Sequence, residues 1–285
     1  MVKAKKSLGQ NWLKSESAIK EIVKTAELAY HEAKPRGDEL VLEIGPGRGV
    51  LAKALLETGA KVLAVEKDDR LIEELQEKFA TEIADRKLIL IHDDILNLDF
   101  SNLLSSLFPP TPHLLIPKYK LVANIPYYIT GQVIRKFLSE EKIQPSRIVL
   151  MMQKEVAKRI TVTDKESLLS LSVKIYGTPK YIKTVPAGAF EPQPKVDSAI
   201  LLIENISRNF FSDLDETKFF TILKKGFAQK RKLLKGNLGI GEEVLVTCNI
   251  PTKARAENLT IENWKCLAVT LGGSTSKSQK KWQFY

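Results

Sequence analysis

Apolar residues recur at helical spacing through residues 15–33 (Ile19, Ile22, Val23, Ala26, Leu28), and the run Pro35–Glu39 ends the helix they predict. The pattern then changes period. "LVLEIG" (40–45) reads as a short buried strand, "VLAKALLETG" (50–59) as a helix stopped by Gly59, "KVLAVEKD" (61–68) as a second strand and "DRLIEELQEKFATEIA" (69–84) as a second helix. "KLILIHDDIL" (87–96), "YKLVANI" (119–125) and "RIVLMMQ" (147–153) continue the strands, with "GQVIRKFLSE" (131–140) and "EVAKRI" (155–160) as helices. Residues 101–118, with four prolines, read as an irregular connection. "LLSLSVKIYGTPKYIKTV" (168–185) and "SAILLIEN" (198–205) read as a closing pair of strands around the loop 186–197. Strands alternating with helices at short intervals predict an α/β fold with a parallel, helix-covered sheet.

After residue 204 the pattern becomes helical, beginning with "TKFFTILKKGFAQKRKLLKGNL" (217–238). A larger domain over 1–204 and a small helical one over 205–285 are expected, with a flexible tail at "GGSTSKSQKK" (272–281). Charge sharpens this division. The net charge is +10, and after residue 204 basic residues outnumber acidic ones two to one. Such an excess suits an anionic partner, nucleic acid above all, although a basic protein with no polyanion partner fits the charge alone.

Composition excludes several classes. Cys248 and Cys266 are too few for a disulfide framework or a zinc site and read as buried reduced thiols of a cytosolic protein. His31, His92 and His113 are scattered, so no metal site or Ser-His-Asp triad is expected. The basic start lacks the apolar core of a signal peptide, and no apolar run is long enough to span a membrane.

The chemistry concentrates at predicted strand ends. Gly45, Gly47 and Gly49 make a tight turn in "EIGPGRG", while Val50 stands where a dinucleotide fingerprint wants its third glycine. Glu66 ends the second strand, where a carboxylate accepts from ribose hydroxyls; Asp94, with the Ile95 backbone beside it, ends the third, where it can read an adenine amine. Each acid alone reads rather as a solvated helix cap. Together they suggest an adenosine cofactor without a pyrophosphate, which S-adenosylmethionine fits. "NIPY" (124–127) offers no strong acid, base or nucleophile. It offers acceptors that can orient an amine: the Asn124 side-chain oxygen and the backbone carbonyl on the Pro126 side, held by the proline ring. Tyr127 is a wall for a base to stack on. Phe190, in the stiff loop "FEPQPKVDS", is either its counterpart or a core residue.

In order along the chain, "SLGQNWL", "EIGPGRG", "HDDIL", "NIPYYIT", "FEPQPKVDS", "FAQKRKLLKGNL" and "KARAENLTIENW" resemble the small-subunit ribosomal RNA adenine dimethyltransferases over nearly the whole length. The resemblance implies a seven-stranded Rossmann-like methyltransferase sheet with a small all-helical C-terminal domain. It implies dimethylation, from S-adenosylmethionine, of two adjacent adenosines in a hairpin loop near the 3′ end of small-subunit rRNA, in a pre-assembled subunit, by a cytoplasmic monomer without metal. It places Asn11, Leu13, Gly45, Gly47, Glu66, Asp94, Ile95 and Asn124 at the cofactor, and Asn124, Pro126, Tyr127 and Phe190 at the target base. Trp12 departs from the usual Phe, and Tyr128 from the common Asn. Lys224, Lys225, Lys230, Arg231, Lys232 and Lys235 read as a basic helix for rRNA phosphates, or as a solvated face. Two rivals remain: a large-subunit rRNA resistance methyltransferase, and a ribosome-assembly factor with weak or absent transfer.

Overall fold

The computed structural model describes residues 2–28, 39–109, 117–161 and 165–272. Residues 29–33 of the first predicted helix, His31, His113, two of the loop prolines and the tail from 273 lie outside them. The chain divides into two compact units: Met1–Val162 with Tyr176–Ser207, and Thr163–Ile175 with Arg208–Tyr285.

In the first unit the elements follow as β1 (Trp12–Leu13), α1 (Glu16–Thr25), β2 (Leu40–Ile44), α2 (Val50–Leu56), β3 (Lys61–Glu66), α3 (Asp69–Lys78), α4 (Ala80–Ala84), β4 (Leu88–His92), α5 (Phe100–Leu107), β5 (Tyr119–Asn124), α6 (Thr130–Arg135), β6 (Arg147–Gln153) and α7 (Lys154–Thr161). After α8 (Leu168–Lys174), which belongs to the second unit, come β7 (Thr178–Val185), β8 (Phe190–Glu191) and β9 (Ser198–Glu204). Seven strands form one sheet in the order β4-β3-β2-β5-β6-β9-β7. The five from β2 to β6 are parallel; β9 runs antiparallel between β6 and β7. Their composition explains this: β2 is buried at every position and β6 at all but its ends, so both faces must be covered. The order moves outward from β2 to β3 and β4, then returns to β5 on the other side of β2. That reversal opens a crevice at the carboxyl ends of β2 and β5, the usual place for a ligand in an open sheet.

Two expectations are corrected. Phe100–Leu107 is a helix, not an irregular connection: Asp99 caps it through the Asn102 N–H, and the buried Glu141 carboxylate accepts from the Phe100 and Ser101 N–H groups. Leu168–Lys174 is a helix, not a strand. The alternation of Leu169, Leu171 and Val173 imitates a strand, but a Ser167–Ser170 capping box starts a helix, whose Leu171 joins the second unit's core.

The second unit adds α9 (Glu216–Gly226), α10 (Leu234–Leu238), α11 (Glu242–Thr247) and α12 (Ile261–Gly272) around Phe219, Leu223, Leu234, Leu245, Trp264 and Leu267. Gly226 lets Trp264 close on α9: a Cβ there would lie 2.3 Å from the indole ring. The two cysteines are not reduced thiols. Cys248, just after α11, and Cys266, within α12, are joined as a disulfide, their Cα atoms 5.6 Å apart.

Candidate active site

A cavity of about 410 Å³ opens at the predicted crevice. Each wall comes from the end of a strand. At the end of β2 the chain turns through Gly45, Gly47 and Gly49 at φ +65°, +58° and +70°, values that side-chain-bearing residues rarely adopt. Glu66 closes β3, and Asp94 stands two residues beyond β4. From the end of β5 come Asn124, Pro126 and Tyr127. Asn11, Leu13 and Ile95 complete the predicted cofactor set around the cavity.

The carboxylates are tightly held. Glu66 accepts from the Gly47 N–H (3.1 Å) through Oε2, and from the Lys67 and Asp68 N–H groups (2.9 and 2.8 Å) through Oε1. Burial nevertheless pushes its pKa above the ordinary value, these hydrogen bonds opposing it. Asp94 accepts from Lys67 Nζ (2.7 Å) and from the Leu96 N–H (3.0 Å). Partial burial works to raise its pKa, but Lys67 and the Leu96 N–H carry it below the usual range.

Asn124 has a defined orientation. Its Nδ2 donates to the Asn11 carbonyl (3.1 Å), which fixes the amide and leaves Oδ1 as an acceptor. Pro126 begins a 3-10 turn whose carbonyl accepts from the Ile129 N–H (3.2 Å). Tyr127 bonds Ser198 through its hydroxyl (2.7 Å), and burial raises its pKa.

Phe190 does not line the cavity. Only 2% exposed, it pairs with Leu13 where β1 and β8 form a two-residue antiparallel ladder. It therefore supports the segment carrying Asn11 and Leu13. Tyr128, beside Tyr127, lines the cavity and is 60% exposed.

The basic residues are not on one helix. Lys224 and Lys225 lie in the last turn of α9, Lys230, Arg231 and Lys232 in the following turn, and Lys235 in α10, paired with Glu242 (2.5 Å). Lys225, Lys230, Arg231 and Lys232 are exposed.

Residues not singled out from sequence also shape the cavity. Lys67 is tied to Asp94, and Arg48 places its guanidinium 3.9 Å from the centroid of the Trp12 ring. Glu43 is fully buried beneath the glycine turn, its pKa raised to about 8 by burial and by the charge of Glu66. Among the described residues no group of His, Cys, Asp and Glu is placed for a metal, and no helix is long and apolar enough to cross a membrane.

A glycine turn free of Cβ atoms, carboxylates after two successive strands and an amide acceptor opposite them fit an adenosine-bearing sulfonium donor. Sheet and site are those of a Rossmann-like methyltransferase whose methyl donor is S-adenosylmethionine. The sequence profile of the ribosomal RNA adenine dimethylase family matches residues 1–271, and the chain belongs to that family. Its relatives include Ribosomal RNA small subunit methyltransferase A of Dehalococcoides mccartyi, 40% identical over 96% of this chain and 90% of that one. The protein of the same name from Nostoc punctiforme is 36% identical, over 94% and 95%. Two solved structures share the fold. A dimethyladenosine transferase from Plasmodium falciparum has TM-score 0.72 and 23% identity, covering 91% of this chain and 97% of that one. The 23S rRNA methyltransferase ErmE has TM-score 0.67 and 23% identity, covering 92% and 100%.

Proposed function

We propose that this enzyme dimethylates the exocyclic amines of two adjacent adenosines in a hairpin loop near the 3′ end of small-subunit rRNA, acting on a pre-assembled subunit. One observation supports the site assignment most: the Asn124 amide, held by the Asn11 carbonyl, keeps Oδ1 available beside the proline turn.

S-adenosylmethionine supplies the electrophilic methyl group when bound. The glycine turn and Glu66 hold its methionine arm and ribose, and Asp94 with the Ile95 backbone meets its adenine. Asn124 Oδ1 and the Ile125 carbonyl accept from the target amine, turn its lone pair into the cavity and stabilise the positive charge that develops. Pro126's own carbonyl is engaged by Ile129, so the acceptor offered on this turn is the preceding carbonyl. Tyr127, anchored to Ser198, packs on the target base. The proton then leaves a cationic nitrogen, which needs no strong base. The exposed Lys225, Lys230, Arg231 and Lys232 bind rRNA phosphates, with Lys224 and Lys235 shaping the same surface.

The test is methyl transfer from labelled cofactor to small subunits lacking the modification, with large subunits as control and mass analysis of the digested rRNA. Dimethyladenosine at two adjacent loop positions of the small subunit is expected. Label confined to large subunits overturns the substrate, and tight binding with no label in either overturns the activity.

A further inference from the structure

Asp94 stands on a turn whose far end is gripped by a buried ion pair that lines no part of the cavity. Lys136 is 8% and Glu141 5% exposed, and Lys136 Nζ lies 2.9 Å from Glu141 Oε1. Five residues apart on an α-helix, the two side chains would point roughly 140° away from each other. They meet because α6 runs into a π-helical turn, Lys136–Glu140, closed by the Glu141 N–H on the Lys136 carbonyl (2.9 Å).

Both partners reach the segment that follows Asp94. The Asp94 carbonyl accepts from the Asn97 and Leu98 N–H groups (2.9 and 3.1 Å), which makes residues 94–98 one tight turn. Asp94, Ile95 and Leu96 of this turn line the cavity. The sheet holds its start, where the Asp93 N–H donates to the Glu66 carbonyl (3.0 Å). Lys136 holds its end, with Nζ donating to the Leu98 carbonyl (2.7 Å). Glu141 fixes the beginning of α5, accepting from the Phe100 N–H, the Ser101 N–H and the Ser101 hydroxyl (3.3, 2.9 and 2.6 Å). The other lysine at Asp94, Lys67, lies in the cavity wall with its side chain 56% exposed, where solvent competes for it. Lys136 is shielded from that competition.

Stability alone does not call for this pair. Well-packed apolar side chains of similar volume replace buried ion pairs at little cost, and often with a gain. An apolar side chain cannot make a directional bond to the Leu98 carbonyl. The charge matters to Asp94 as well: partial burial works to raise its pKa, while Lys67, the Leu96 N–H and Lys136 hold it down. Asp94 therefore offers the cavity an ionised acceptor.

We propose that Lys136 is a positioning residue for cofactor recognition: through the Leu98 carbonyl it holds the Asp94 turn in the geometry that accepts from the adenine amine. This rests on the assignment of the adenine to Asp94 made above. Lys136 touches no ligand. It sets how sharply the enzyme separates adenine from a purine carrying oxygen in place of the amine.

The test is calorimetric binding of S-adenosylhomocysteine and of its deaminated analogue, S-inosylhomocysteine, to the full chain. A hydrogen bond to a carboxylate corresponds to about 10- to 100-fold in affinity, so wild type should prefer the adenine ligand by about that ratio. Glu141→Gln, which leaves Lys136 on the Leu98 carbonyl, should keep the ratio. Adding Lys136→Met to Glu141→Gln leaves neither charge buried. It should lower the ratio to about threefold or less, with affinity for the inosine ligand preserved. An unchanged ratio in the double variant overturns the proposal and leaves Asp94 as the adenine reader. A loss in Glu141→Gln as large as in the double variant also overturns it, because the pair then acts only as packing. No preference in wild type overturns the assignment of the adenine to Asp94, and the proposal with it. Should the double variant fail to fold, amide exchange in the unliganded wild type decides. The Leu98 N–H should exchange as slowly as the amides of α5; exchange at the rate of an unstructured chain would mean that nothing holds the turn.

Discussion

Glu43→Gln probes the least expected group in the site. Glu43 lies fully buried at the end of β2, its Oε2 has no partner, and its carboxyl titrates near 8 in the fold against an ordinary 4.5. Between these values the unfolded chain has lost the proton and the folded chain retains it. The folded state then binds more protons than the unfolded one, so stability declines as pH rises through this window. Below it both states are protonated and the group contributes no slope; above it the whole penalty is present. The limiting slope is about 1.4 kcal/mol per pH unit. From pH 5.5 to 7.5 this corresponds to a loss of about 2–3 kcal/mol, or about 5–10 °C in Tm for a chain of this size. Gln is nearly isosteric with the protonated acid and can keep the bond from the Ala52 N–H. Glu43→Gln should therefore melt like wild type at pH 5 and well above it at pH 8, followed by circular dichroism in buffers of matched ionic strength. Parallel curves of Tm against pH for the two proteins would refute the reasoning, because Glu43 would then be ionised in the fold at neutral pH or equally protonated in both states.

Asn124→Ala removes the acceptor and strands the Asn11 carbonyl; single-turnover transfer should fall by about 10²–10³ with a stability cost of about 1 kcal/mol, and near-normal turnover would remove Asn124 from the mechanism. Changing Lys230, Arg231 and Lys232 together to Ala should weaken rRNA binding and reduce the slope of log K against log salt by about 2–3, measured by filter binding across a salt series; an unchanged slope would make this turn a solvated surface. Gly226→Ala drives a methyl group into Trp264 and should destabilise the second unit by about 1–3 kcal/mol in urea, with quenching or shift of indole fluorescence reporting the displaced ring.

The strands of the parallel sheet were legible because burial on both faces leaves uninterrupted apolar runs, as in "LVLEI" and "RIVLMMQ". Strand ends were legible too, and with them the places of Glu66, Asp94 and Asn124 on the cavity, since polar residues there interrupt those runs. What failed were segments whose local pattern was outvoted. Leu168–Lys174 alternates like a strand, yet its first turn is fixed by serine caps and its apolar face by a core built from residues far along the chain. Phe190 was ambiguous because its role depends on a pairing with Leu13 that no local pattern encodes. Cys248 and Cys266 look like two isolated thiols until α11 and α12 fold back on each other. Arg48 was hidden among three glycines, where the turn itself drew the attention.

The ladder between β1 and β8 also sets a timetable. Trp12 and Leu13 leave the ribosome early, but their partners Glu191 and Phe190 are made almost last in the catalytic unit, roughly ten to forty seconds later at ordinary rates of synthesis. A nascent chain that has produced the glycine turn, Glu66, Asp94 and Asn124 still lacks the strand that seats Asn11 and Leu13 beside them. The wall that this segment contributes to the cavity thus closes only when the unit is nearly complete, so a truncated chain should be a poor competitor for the cell's methyl donor.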